Sequence, residues 1–241
     1  MFNSKVFVAE FIGTFALVFV GTGAGIVANG DLVGVALAYG LTLAVFIHAY
    51  GYISGAHVNP AVTFGLALNG TVKWMQAIFY WLAQFAGAIL AVFFLKTMLE
   101  PLGADLGQIV TSGILTDSQP ILAMVLEAVL AFFLMNTILH TTAEGKDGVF
   151  ASWSIGATLA FVILVGFLFT GDAVNPARTL ASAIFANPSL TSVYTYVIYL
   201  FGPLLGSTLA VIVYNFLAGE AADEADEDEE SEEAEAKPVE G

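Results

Sequence analysis

Long apolar runs broken by short polar links set the pattern of this chain. Read along their length, they predict six apolar helices, at roughly 5–28, 33–52, 74–98, 120–142, 151–169 and 193–218. Each is close to the ~20 residues that cross a bilayer core. Two further apolar stretches do not fit that length. One follows Ser54-Gly-Ala-His-Val-Asn59-Pro60-Ala61-Val62-Thr63 and reaches about Gly70. The other follows Thr170-Gly-Asp-Ala-Val-Asn175-Pro176-Ala177-Arg178-Thr179 and ends near Asn187. In both, Asn is a preferred N-cap and Pro suits the first helical position, where its missing N–H has no partner to lose. The spacing therefore predicts two half-helices of ~10 residues, re-entrant rather than spanning. A more polar link, about 100–119, separates the third and fourth spans, and Glu144–Gly148 joins the fourth to the fifth.

An internal repeat emerges once the half-helices are aligned. Asn59 follows Glu10 by 59 − 10 = 49 positions, and Asn175 follows Glu127 by 175 − 127 = 48. Three spans lie between the copies, so the two halves, about 1–99 and 120–218, enter the membrane with opposite orientation. Inverted repeats with broken helices place a site near the midplane, where the half-helix N-termini converge. Each N-terminus carries about +0.5 of an elementary charge and several N–H groups without helical partners. Two of them facing each other repel cations and turn the oxygen of a neutral dipole inward. The amides of Asn59 and Asn175 add donors, and irregular backbone over Gly55–Val58 and Gly171–Val174 offers carbonyls. Such backbone is tolerated at depth where it lines a water-filled path.

Composition sharpens the class. The chain is 58% hydrophobic and 11% charged, with a mean hydropathy of +0.85, as expected of a polytopic membrane protein. The N-terminal run is too long for a signal-peptide core and reads as the first span. There is no cysteine, hence no disulfide or thiolate chemistry. Of 21 acidic residues, twelve fall from Glu220 onward beside one Lys. The net charge of −15 thus divides into −11 there and −4 elsewhere. Residues 219–241 read as an acidic, disordered tail after a channel domain at 1–218. Lys5, Lys73, Lys146 and Lys237 fall on one side and Lys96 on the other, which predicts cytoplasmic termini. Neither His48, His57 nor His140 belongs to a cluster with metal spacing, so no metal, cofactor or catalytic step is expected. No nucleic-acid partner is expected either. Trp74, Trp81 and Trp153 lie near span ends, as in an interfacial belt. Gly40, Gly87, Gly156 and Gly206 suit close helix packing.

Through the paired Asn-Pro-Ala motifs, the sequence resembles the aquaporin, or major intrinsic protein, family over nearly its whole length to about Leu217. The resemblance implies an all-α membrane protein with six transmembrane helices and two re-entrant half-helices. It also implies one pore per subunit, a homotetramer, and a cell-membrane channel for water and other small uncharged solutes such as glycerol or ammonia. Asn59, Pro60, Ala61, Asn175, Pro176 and Ala177 would form the central constriction. Gly55, Ala56, His57, Gly171 and Ala173 would line it with backbone, and Glu10 and Glu127 would brace the loops, with a proton relay as the alternative role for this pair. A narrower filter is implied at Tyr39, Ile163, Asp172 and Arg178. Arg178, the single Arg in the chain, has its own reading, since such a charge at membrane depth marks function. Asp172 facing it would form an ion pair; turned away, it would bond loop N–H groups. Ile163 makes the filter more apolar than the water-selective pattern, Thr179 favours water over glycerol, and Tyr199-Leu200 fits neither type fully. A glycerol facilitator with little water selectivity, a secondary transporter and an adhesion protein with a vestigial pore are the rival readings.

Overall fold

The computed structural model describes residues 2–27, 31–102, 115–116, 118–142, 150–171, 174–185 and 193–218. These form α1 (Ser4–Val27), α2 (Leu32–Ser54), α3 (Pro60–Leu68), α4 (Trp74–Leu99), α5 (Pro120–Thr141), α6 (Ala151–Thr170), α7 (Pro176–Phe185) and α8 (Val193–Ala218). Among the described residues all regular structure is helical. Six helices are long and apolar enough to cross a membrane, and each matches an expected span to within two residues. α4 runs into a 3₁₀ turn at Glu100–Leu102, and α8 contains a π-helical turn at Val197–Phe201. The tail from 219 and the 143–149 link lie outside the described residues, as does most of the longer link.

The half-helices have 9 and 10 residues. At 1.5 Å per residue, 19 residues in line measure about 28 Å, close to the ~30 Å hydrocarbon thickness. Two such pieces placed N-terminus to N-terminus therefore replace one span and meet at its middle.

Glycine positions set how closely the long helices cross. Gly40 of α2 and Gly156 of α6 lie back to back, and a Cβ on either would collide with the other's carbonyl oxygen. Their offset, 156 − 40 = 116, equals that of the two motif asparagines, 175 − 59 = 116. Gly87 of α4 packs on the carbonyl of Phe11 in α1, and Gly206 of α8 packs on that of Ala128 in α5. The same crossing is thus made twice, once per inverted repeat. Backbone contact of this kind is how spans associate when lipid is as apolar as their side chains. The outward faces are lined with Leu, Val and Phe, such as Leu37, Leu41, Val45, Phe93 and Phe133.

Candidate functional site: the cavity between the half-helices

Each half-helix is reached through a strained loop. α2 and α6 end in left-handed glycines, Gly55 (φ 83°) and Gly171 (φ 76°). Beyond them Ala56 (φ 47°), Val58 (φ 45°) and Val174 (φ 34°) also hold positive φ. For β-branched Val this conformation costs on the order of 1–3 kcal/mol. A buried carboxylate offsets that cost on each side. Glu10 Oε1 accepts from Ser54 Oγ (2.7 Å) and His57 N (2.8 Å), and Oε2 accepts from Val58 N and Gln84 Nε2 (both 2.8 Å). Glu127 accepts from Thr170 Oγ1 (2.6 Å) and Val174 N (2.8 Å). Hydrogen bonds to a charged acceptor contribute roughly 1.5–3 kcal/mol each, enough to hold the strain.

The asparagines do more than cap. Asn59 Oδ1 accepts from Ala61 N (2.9 Å) and Asn175 Oδ1 from Ala177 N (3.0 Å), as their N-cap position requires. Their amide nitrogens cross between the halves: Asn59 Nδ2 donates to Val174 O and Asn175 Nδ2 donates to Val58 O, both at 2.9 Å. These two bonds fasten the half-helix tips to each other. Each NH₂ carries a second hydrogen beyond the one used here.

A cavity of about 220 Å³ runs alongside. It starts at exposed Thr71 and Thr142, passes the backbone of Gly55–Val58 and both asparagines, and reaches Tyr39, Ile163 and Arg178. Leu43, Val62, Leu66, Ile155 and Leu159 make its walls largely apolar. Among the expected site residues, the structure gathers Tyr39, Gly55, Ala56, His57, Asn59, Ile163, Asn175 and Arg178 on this one surface. Pro60, Ala61, Pro176 and Ala177 are buried behind it in the first turns of α3 and α7. Gly171 contributes its carbonyl to Arg178 Nη2 (3.2 Å). Asp172 and Ala173 lie outside the described residues.

Arg178 is 5% exposed and is held on several sides. Its Nε donates to Tyr39 Oη (2.7 Å), and its guanidinium carbon lies 4.8 Å from the centre of the same ring. Tyr39 Oη in turn meets Thr22 Oγ1 at 2.8 Å. The Tyr39 ring fits only because residue 21 is Gly, since a Cβ there would collide with it. A fixed guanidinium on an otherwise apolar wall supplies charge and directed donors without needing to reorganise.

Several members of this network escaped the sequence reading or were read there in another role. Tyr80 and Tyr199 donate to Ser54 O and Thr170 O, closing the ends of α2 and α6. Aligning the third span with the sixth would have paired them. Gln84, an amide at the centre of an apolar span, bonds Glu10 and Thr63 Oγ1 (2.9 Å). Its polarity was the available signal. The His57 ring stacks on Tyr80 and sets Nδ1 3.1 Å from Thr63 Oγ1, so the residue supplies a side chain as well as backbone. Trp74 and Trp153 are half-exposed, in keeping with a belt, whereas Trp81 turns inward and donates Nε1–H to Pro60 O (3.1 Å). Thr22 gave no signal at all. Among the described residues no His, Cys, Asp and Glu cluster could hold a metal.

The chain is similar to known proteins over most of its length. The family model described as Major intrinsic protein matches residues 1–214. The chain is 38% identical over 221 residues to a glycerol uptake facilitator protein-like 6 of Lactiplantibacillus plantarum, covering 89% of this chain and 98% of that one. It is 34% identical over 224 residues to a probable TIP-type aquaporin of Antirrhinum majus, with 88% and 86% covered. The X-ray structure of the aquaglyceroporin from Plasmodium falciparum superposes with a TM-score of 0.78 at 25% identity, covering 91% of this chain and 98% of that one.

Proposed function

Because the chain belongs to the major intrinsic protein family and is a multi-pass membrane channel of that family, we propose that the cavity beside Asn59, Asn175 and Arg178 is its conduction path for water and small uncharged solutes. The observation that carries this reading is the lining itself. One wall is backbone and amide, the other is aliphatic, and a single fixed cation stands at one end. Water exchanges hydrogen bonds along the polar wall and loses little against the other. An ion would surrender its hydration to a surface with too few ligands to replace it. The positive ends of α3 and α7 converge beside the path and oppose a hydrated proton.

In this reading Asn59-Pro60-Ala61 and Asn175-Pro176-Ala177 form the central constriction, while Gly55, Ala56, His57, Gly171 and Ala173 present backbone to the solute. Tyr39, Ile163, Asp172 and Arg178 form the outer filter. Glu10 and Glu127 brace the loops and relay no proton, since their oxygens are engaged by loop donors. The channel domain comprises 1–218, built from repeats of about 1–99 and 120–218, with 219–241 as an acidic tail. The protein works in the cell membrane as a homotetramer with one path per subunit and both termini in the cytoplasm. Named relatives include a glycerol uptake facilitator as well as aquaporins, which supports testing glycerol beside water.

Stopped-flow light scattering on proteoliposomes under water and then glycerol gradients tests the function. Water flux well above that of protein-free vesicles, linear in the gradient and indifferent to an imposed pH difference, is expected. Saturating or proton-coupled flux would overturn it.

A further inference from the structure

α1 and α2 pack on each other, yet their outer seam opens into a groove of about 380 Å³. Its walls are apolar: Val8 and Ile12 of α1 and Ile53 of α2, with the Tyr50 ring beside them. Ser4 and Lys5, the first two residues of α1, stand at one end. From Ser4 to Ile12 is 12 − 4 = 8 positions, so the groove follows α1 for about 12 Å. It is open to the outside, since Val8 is 51% and Ile12 37% exposed. Both helices are long and apolar enough to cross a membrane, so the groove starts at one membrane surface and runs inward.

The inverted counterpart of this place carries no charge. The two loop braces align Glu10 with Glu127 and Ser54 with Thr170, at offsets of 127 − 10 = 117 and 170 − 54 = 116. Lys5 then corresponds to Leu122, Tyr50 to Gly166 and Ile53 to Phe169. Packing of the seam therefore does not call for a cation. Nor does the protein use this one internally: among the described residues, Lys5 Nζ has no hydrogen-bond or ion-pair partner.

An apolar groove in a bilayer has little to gain from hydrophobicity, because lipid tails are as apolar as its walls. At ~30 Å³ for each water-sized group it holds about a dozen of them, the bulk of one acyl chain. The headgroup then decides which lipid stays. A Lys lays its apolar stem along such a surface and keeps its ammonium at headgroup level.

We propose that this groove is a binding site for one anionic phospholipid, its acyl chain along Val8, Ile12 and Ile53 and its phosphate held by Lys5. The occupant lies against Ala9 and Ile53, the chain neighbours of Glu10 and Ser54, and so backs the first loop's brace from the membrane side. The chain as a whole carries a net charge of −15, so long-range electrostatics oppose such a lipid. A preference for it has to come from the local cation. The site is separate from the conduction path, and its occupancy is measured without reference to flux.

The full-length protein, delipidated in detergent, is titrated with phosphatidylglycerol or phosphatidylcholine of identical chains, and native mass spectrometry counts the lipids held per subunit. The first phosphatidylglycerol should bind roughly five-fold more tightly than the first phosphatidylcholine, the scale of one Lys at an anionic surface. Lys5→Gln should remove that difference. Lys96→Gln, at the opposite end of the spans over Phe185, should keep it. Val8→Trp, which fills the groove, should weaken both lipids. Equal affinity for the two lipids in the wild type, a difference that survives Lys5→Gln, or an equal loss in Lys96→Gln overturns the site. Val8→Trp that dissociates an oligomer and leaves lipid binding unchanged also overturns it, and assigns the groove to a second copy of the chain.

Discussion

The two half-helix loops meet the same steric problem in the same way and differ where chemistry enters. In each, a left-handed Gly ends a span, a Val is held at positive φ, a buried Glu accepts the loop N–H groups, and an Asn caps the half-helix while fastening to the opposite loop. Three residues from Asn the symmetry fails. Position 62 in the first half is Val and its counterpart, 178, is Arg. Position 84 is Gln, tied to Glu10 and Thr63, while its counterpart, 203, is Pro. Residues that hold a strained backbone are needed wherever the strain occurs, hence twice. On the proposed path a charge that selects solutes would be needed at one point, and a second Arg at depth would add a cost without a second filter.

Removing the brace should have the largest effect. Glu10→Leu strands Ser54 Oγ, His57 N and Val58 N, and each buried unpaired donor costs ~1–3 kcal/mol. The sum is comparable to the ~5–15 kcal/mol stability of a typical folded domain. Little monodisperse protein is expected on size exclusion from Glu10→Leu or Glu127→Leu, with Glu10→Gln milder. If either Leu variant folded normally, the loops would not depend on their carboxylates.

Arg178→Val makes the second loop copy the first. Proton or cation leak, read with a pH-sensitive dye in proteoliposomes, should rise on the order of tenfold, as for a barrier lowered by ~1.4 kcal/mol. A tight channel after this change would place charge exclusion wholly at the half-helix ends. Tyr39→Phe keeps the ring under the guanidinium but removes the acceptor for Nε, worth about 1–2 kcal/mol of orientation. A smaller rise in the glycerol-to-water permeability ratio than in Arg178→Val is expected. Thr22→Val should follow in the same direction and more weakly, with Thr22→Ser restoring the wild-type ratio.

The packing glycines sharpen the comparison at the small end. Gly87→Ala and Gly206→Ala each force a methyl onto a backbone oxygen and should lower stability alike, by ~1–3 kcal/mol. Gly70→Ala meets nothing within 4 Å and should lose only the cost of positive φ, ~1 kcal/mol. Matched thermal unfolding curves would reveal whether the two crossings are energetically equivalent.

The six spans, the two half-helices, their Asn-Pro starts and the Glu spacing were legible in the chain because each follows from local chemistry: hydropathy over a bilayer's thickness, capping, and an ionisable group where one is costly. Ser54 and Thr170 stood at the head of the motif stretches, yet nothing local assigned them to the carboxylates. The bonds that join the halves were out of reach. Asn59 meets Val174 across 115 positions, and Arg178 meets Tyr39 across 139. Such pairs depend on how closely α2 and α6 cross at Gly40 and Gly156, which periodicity does not encode. Thr22 illustrates the limit. One hydroxyl in an apolar helix satisfies its own backbone equally well in any fold, and only the arrival of Tyr39 from a neighbouring helix gives it a partner that matters.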